Sequence, residues 1–128
     1  MQAAKVIVAG LFAVLPSLSP AAATLSVMAQ QALQGVQVED EVVGEAADKM
    51  RAVTRTDGPV MAKVSVLNLM PGTPGCARLR IVMSQGGILT RQGSVVHYEQ
   101  PIRMNLCPGG SPPPVQGLGY EAEKPVFR

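Results

Sequence analysis

The sequence predicts a small α+β domain in which one N-terminal helix packs across an antiparallel sheet of about four strands. Three observations carry that class. The stretch from Glu39 to Arg55 repeats its apolar residues at helical spacing, later stretches alternate them at strand spacing, and the only two cysteines fall at the ends of two such strands. A small β-sandwich without a helix is the fold alternative.

Residues 1–23 read as a leader. Lys5 supplies one positive charge, Val6 to Leu15 form an apolar run, and Ala21-Ala22-Ala23 follow a proline-containing spacer. Charged, apolar and small-residue regions in that order make a secretory signal peptide, with cleavage expected after Ala23. Val27-Met28-Ala29 offers a second cut. A membrane anchor needs roughly 20 apolar residues, and Pro16 and Pro20 interrupt the run before that length. A buried N-terminal helix of a cytosolic protein is the third reading.

Residues 24–38 are uncharged, mixed in pattern and interrupted by Gly35, so they are expected to be a lead-in or a frayed helix. The single domain spans 39–107. In its first part Val42, Val43, Ala46, Met50 and Val53 recur at separations that make one helical face. Glu39, Asp40 and Glu41 at the start, with Lys49, Arg51 and Arg55 near the end, suit the helix dipole. The spacing therefore predicts a helix over 39–55, in which Gly44 costs roughly 1 kcal/mol relative to alanine.

Thr56-Asp57-Gly58-Pro59 ends the helix, and the period changes to two. Val60, Ala62, Val64 and Val66 mark a first strand, and Ala77, Leu79, Ile81 and Met83 a second. Gly86-Gly87 signals a tight hairpin leading into a third strand that runs, with an interruption at Gln92-Gly93, to Tyr98. Pro101 is expected to stop it, and Ile102, Met104 and Leu106 form a last strand. Cys76 opens one strand and Cys107 closes another, so antiparallel pairing brings them within reach of a disulfide. In a small exported domain such a bridge is structural.

Residues 108–128 are a Pro/Gly-rich tail. Pro112, Pro113 and Pro114 favour an extended polyproline conformation, and Tyr120 and Phe127 are two of the three aromatics after the leader. A tail of this kind is disordered or lies along its own domain; on the functional reading it is expected to be mobile in the isolated domain and to order against a partner, with those five residues as the partner-binding set.

Composition narrows the function. Net charge is +2 for the chain and, once Lys5 leaves with the leader, +1, which is no footprint for nucleic acid. After the leader, three aromatics without tryptophan give no stacking platform for bases. No Cys-x-x-Cys pair, Gly-x-Ser-x-Gly elbow or phosphate loop occurs. The methionines are scattered and Met83 and Met104 share the core alternation, so they read as core filler rather than a copper site. The acidic residues around Glu39 and Glu45 have the spacing of a solvated helix face.

The reading that results is an exported, non-catalytic binding or assembly component of the bacterial cell envelope or of a secreted complex, periplasmic or secreted, without cofactor. Its partner would be an envelope or secreted protein, or a second copy of the chain, with no stable membrane span after processing. The alternative is a small periplasmic hydrolase or metal-handling protein using His97, the single histidine, which strand alternation places on one face with Glu99.

Overall fold

The computed structural model describes residues 22–128. The leader therefore lies outside the described residues, apart from Ala22 and Ala23. In chain order the elements are β1 (Ala22–Ala23), α1 (Leu25–Leu33), β2 (Val38–Val42), α2 (Glu45–Thr54), β3 (Val60–Leu69), β4 (Ala77–Leu89), β5 (Val95–Leu106), β6 (Glu121–Ala122) and β7 (Val126–Phe127). The strands form one sheet in the order β1-β2-β3-β4-β5, and β6 and β7 both pair with the outer edge of β5. Every pairing is antiparallel except that of β1 with β2. The α+β class holds, but the sheet is larger than four strands and two helices lie on it. A helix-free sandwich is excluded.

The lead-in is the first correction. Residues 25–33 form a firm helix because Thr24 caps it, its hydroxyl accepting from the Val27 amide at 3.3 Å. The helix drives Met28, Ala29 and Ala32 into the core. The second correction concerns the expected helix over 39–55. Gly44, at φ 99°, takes a backbone conformation that breaks the helix there, and α2 starts only at Glu45. The preceding Val38–Val42 pairs with β3, so Val42 is buried against the helices while Glu39 and Glu41 lie on the other face of the sheet.

Two further expectations fail at β4 and β5. Gly86-Gly87 is not a turn: β4 runs through it to Leu89, and the register slips by one residue between Gln85 and Ile88. This is a β-bulge, with Gly87 at φ 73°. The hairpin turn comes later, at Thr90–Ser94, where the Thr90 amide donates to the Ser94 carbonyl and the two hydroxyls lie 2.8 Å apart.

Pro101 does not stop β5. Its carbonyl accepts from the Glu123 amide, so its nitrogen also points to the outer edge, away from β4. No β4–β5 hydrogen bond is lost. On the outer side the Gln100 side-chain amide donates to the Glu123 carbonyl at 2.8 Å, supplying the donor that proline lacks.

The core lies between the two helices and one face of the sheet. Val60, Ala62 and Val64 of β3 with Ala77, Leu79 and Ile81 of β4 meet Met28, Ala32, Ala47 and Met50 from the helices. At one end of this layer Gln85 is 1% exposed and fully bonded: its side-chain amide donates to the carbonyls of Thr56 (2.7 Å) and Gly58 (2.9 Å), and its carbonyl oxygen accepts from the Thr54 hydroxyl (2.6 Å). It pins the end of α2 to β4. At the other end Cys76 and Cys107 form the expected disulfide, one residue beyond the Ala77–Leu106 pair.

The tail also departs from expectation. Pro113 is fully buried, the Leu118 carbonyl accepts from the Asn105 amide at 2.7 Å, and residues 121–128 run along β5. It is paired with its own sheet. No helix among the described residues is long and apolar enough to cross a membrane.

Candidate functional site

The helices do not cover the whole inner face of the sheet. They pack chiefly over β2, β3 and β4, and leave Tyr98, Ile102 and Met104 on that side of β5 only partly buried. Between α2 and β5 lies an open cleft of about 510 Å³. One wall is the α2 stripe Ala46, Lys49, Met50 and Val53, whose spacing puts these residues on a single helical face. The other wall is Met83 from β4 with Tyr98, Gln100 and Ile102 from β5. Leu25 of α1 and Tyr120 of the tail complete it. A smaller hollow of about 220 Å³, lined by Leu25, Ala29, Ile81, Met104 and Leu106, continues the apolar surface along α1.

Alternation along the strands explains why the cleft is apolar. Tyr98, Ile102 and Met104 project to the same face as the buried residues of β4 opposite them. Phe127 pairs with Tyr98 in register, and their rings meet at a centroid distance of 5.0 Å with a tilted geometry. Tyr98, Tyr120 and Phe127, the three aromatics after the leader, thus gather along one edge of the cleft. Tyr120 is 57% exposed and Phe127 63%, while Val53 on the facing helix is 76% exposed. Large apolar groups left in water on both sides of a concave surface are the signature of a contact site.

Of the five tail residues expected to bind a partner, the structure brings Tyr120 into the lining of this cleft and packs Phe127 on Tyr98 at its edge. Pro112 and Pro114 are exposed away from it and outside its lining, whereas Pro113 is buried in the chain's own fold and has no surface to offer. Sequence reasoning missed Val53, Met83, Tyr98 and Ile102 as parts of one surface. The signal was there in the alternation of β5, but the gap between α2 and β5 depends on how far two helices reach across a sheet.

On the opposite face His97 and Glu99 do share a side, with Nε2 3.5 Å from Oε2. Arg128 also reaches Glu99, at 3.3 Å. Among the described residues no group of three or more His, Cys, Asp or Glu side chains comes together to hold a metal ion. The pair thus has a basic neighbour where a third ligand would be needed. No protein-family model, curated protein or solved structure matches the chain.

Proposed function

We propose that the chain is an exported, non-catalytic binding or assembly component of the bacterial cell envelope or of a secreted complex, and that it docks through the cleft between α2 and β5. The observation that carries this reading is the gathering of Tyr98, Tyr120 and Phe127 opposite the exposed Val53 around an open apolar surface. Aromatic side chains give large contact area at small entropic cost and dominate binding energy where they are enclosed on complex formation. The partner of matching chemistry is an apolar segment of an envelope or secreted protein.

Export rests on the leader. Of the two candidate cuts, the one after Ala23 removes the two-residue β1 but leaves Thr24 as the first residue and so keeps the helix cap of α1. The one after Ala29 would remove Met28 and Ala29 from the core. A mature chain beginning at Thr24 is therefore favoured, and the intact mass of protein recovered from the envelope fraction tests it. Retention of Met1 would contradict export with cleavage.

Docking is tested with Val53→Glu, a change at an exposed helix position that leaves the core intact. Loss of a partner that co-purifies with the natural chain, at unchanged melting temperature, supports the cleft. Lys63→Glu, on the opposite face, should retain the partner. Equal retention by both variants would refute the assignment.

A further inference from the structure

The other face of β4 and β5 carries three arginines whose carboxylate partners all come from the tail. Arg80 and Arg103 stand directly opposite each other across the two strands. Like charges so placed repel, and Glu123 lies between them, 3.4 Å from Arg80 Nε and 3.3 Å from Arg103 Nε. Arg78 pairs with Glu121, and donates to the Gly119 carbonyl at 3.2 Å and the Asn105 side chain at 2.8 Å. The two glutamates are spaced by two, so a strand laid on β5 presents both to the same face.

That strand lies at the surface: within 119–128 every residue but Glu123 is exposed, and β6 and β7 are two residues each, supplemented by backbone bonds to His97 and Pro101 of β5. The chain reaches them through Gly117 and Gly119, both in left-handed conformation. A positively charged receptor edge is thus filled by a short strand bearing two glutamates.

We propose that the outer edge of β5, with Arg78, Arg80 and Arg103, is a docking site for an extended segment of a partner protein bearing carboxylates at alternate positions. The chain's own residues 119–128 occupy the site in cis, and a partner strand replaces them by adding to the sheet. The arginines lie on the face opposite the cleft, but the displaced segment carries Tyr120 and Phe127, so the two readings share the tail. Because a tethered segment acts at an effective concentration in the millimolar range, a free peptide competes poorly until the tail is weakened.

The test uses the full chain and a fluorescent peptide of residues 119–128, with binding read by anisotropy. Glu121→Lys/Glu123→Lys in the chain should turn the tail away from the arginines and tighten peptide binding at least about 10-fold over the natural chain. A peptide with both glutamates replaced by glutamine should lose that gain. If the double lysine variant fails to unfold cooperatively, Glu121→Gln/Glu123→Gln serves, with a gain of about 3-fold or more. Equal affinity for natural and tail-weakened chains, or binding indifferent to the peptide's glutamates, would overturn the proposal. Dimers of the natural chain that grow with concentration and vanish in the tail variant would name a second copy as the occupant and overturn the partner assignment. Arg80→Gln/Arg103→Gln, on the face away from the cleft, should abolish the gain while leaving Val53 and Tyr120 in place, which keeps this outcome separate from that of the cleft.

Discussion

Gln85 is the residue whose replacement should report most sharply on how the two layers are joined. In Gln85→Ala the Thr56 carbonyl loses its side-chain donor and the Thr54 hydroxyl loses its acceptor, while the Gly58 carbonyl keeps the Arg51 Nε–H at 3.2 Å. A buried group left unsatisfied costs about 1–3 kcal/mol. One carbonyl so exposed, a hydroxyl that can turn elsewhere at smaller cost, and the space vacated by a fully buried side chain together predict a loss of about 3–4 kcal/mol. Gln85→Glu sharpens the reasoning. It keeps an acceptor for Thr54 but faces two carbonyl oxygens, so burial and repulsion hold its carboxyl above the ordinary range. A folded value raised above the unfolded one carries no penalty below the free glutamate's pKa of about 4.3, and the full penalty above the folded value. The variant should therefore lose stability as pH rises from 4 to 7, the reverse of the usual carboxylate. Urea unfolding at both pH values measures each quantity. A loss under about 1 kcal/mol for the alanine variant, or no pH dependence for the glutamate variant, would refute the view that Gln85 pins α2 to β4.

Two other perturbations follow from the same structure. The Cys76–Cys107 bridge closes a separation of 31 residues, which in the chain-entropy model is worth about 3.7 kcal/mol; Cys76→Ser/Cys107→Ser should lose about that much in urea unfolding, and a loss below about 1 kcal/mol would contradict a structural bridge. Deleting residues 111–128 removes buried Pro113 and the acceptor of the Asn105 amide, so it should cost at least about 2 kcal/mol, and an unchanged melting temperature would show that the tail is not part of the fold.

The parts of the fold legible in the sequence were those fixed by local pattern under strong burial. Val60–Val66 and Ala77–Met83 alternate because one face of each is sealed by helices, and the register that alternation implies also delivered the disulfide. What was not legible shared a local signal with another structure. A glycine at positive φ, as Gly87 is, serves a bulge as well as a turn, so Gly86-Gly87 could not be told from the true hairpin at Thr90–Ser94. Pro101 breaks a strand only if its nitrogen faces a neighbour that needs a donor, and that depends on register. The acidic run Glu39–Glu41 suits a helix start, but pairing with β3 claimed it. In the site, Tyr120 and Phe127 stood out by composition alone, whereas Val53 and Ile102 became a surface only once two helices left β5 uncovered.

The central claim, that the cleft between α2 and β5 is the surface the protein uses, is tested most directly by site-specific photo-crosslinking in the envelope of intact cells. A photoreactive residue at Val53 or Tyr120 should trap one discrete adduct, and the same residue at Lys63, exposed on the far face, should not. Adducts of equal yield at all three positions, or at Lys63 alone, would contradict it.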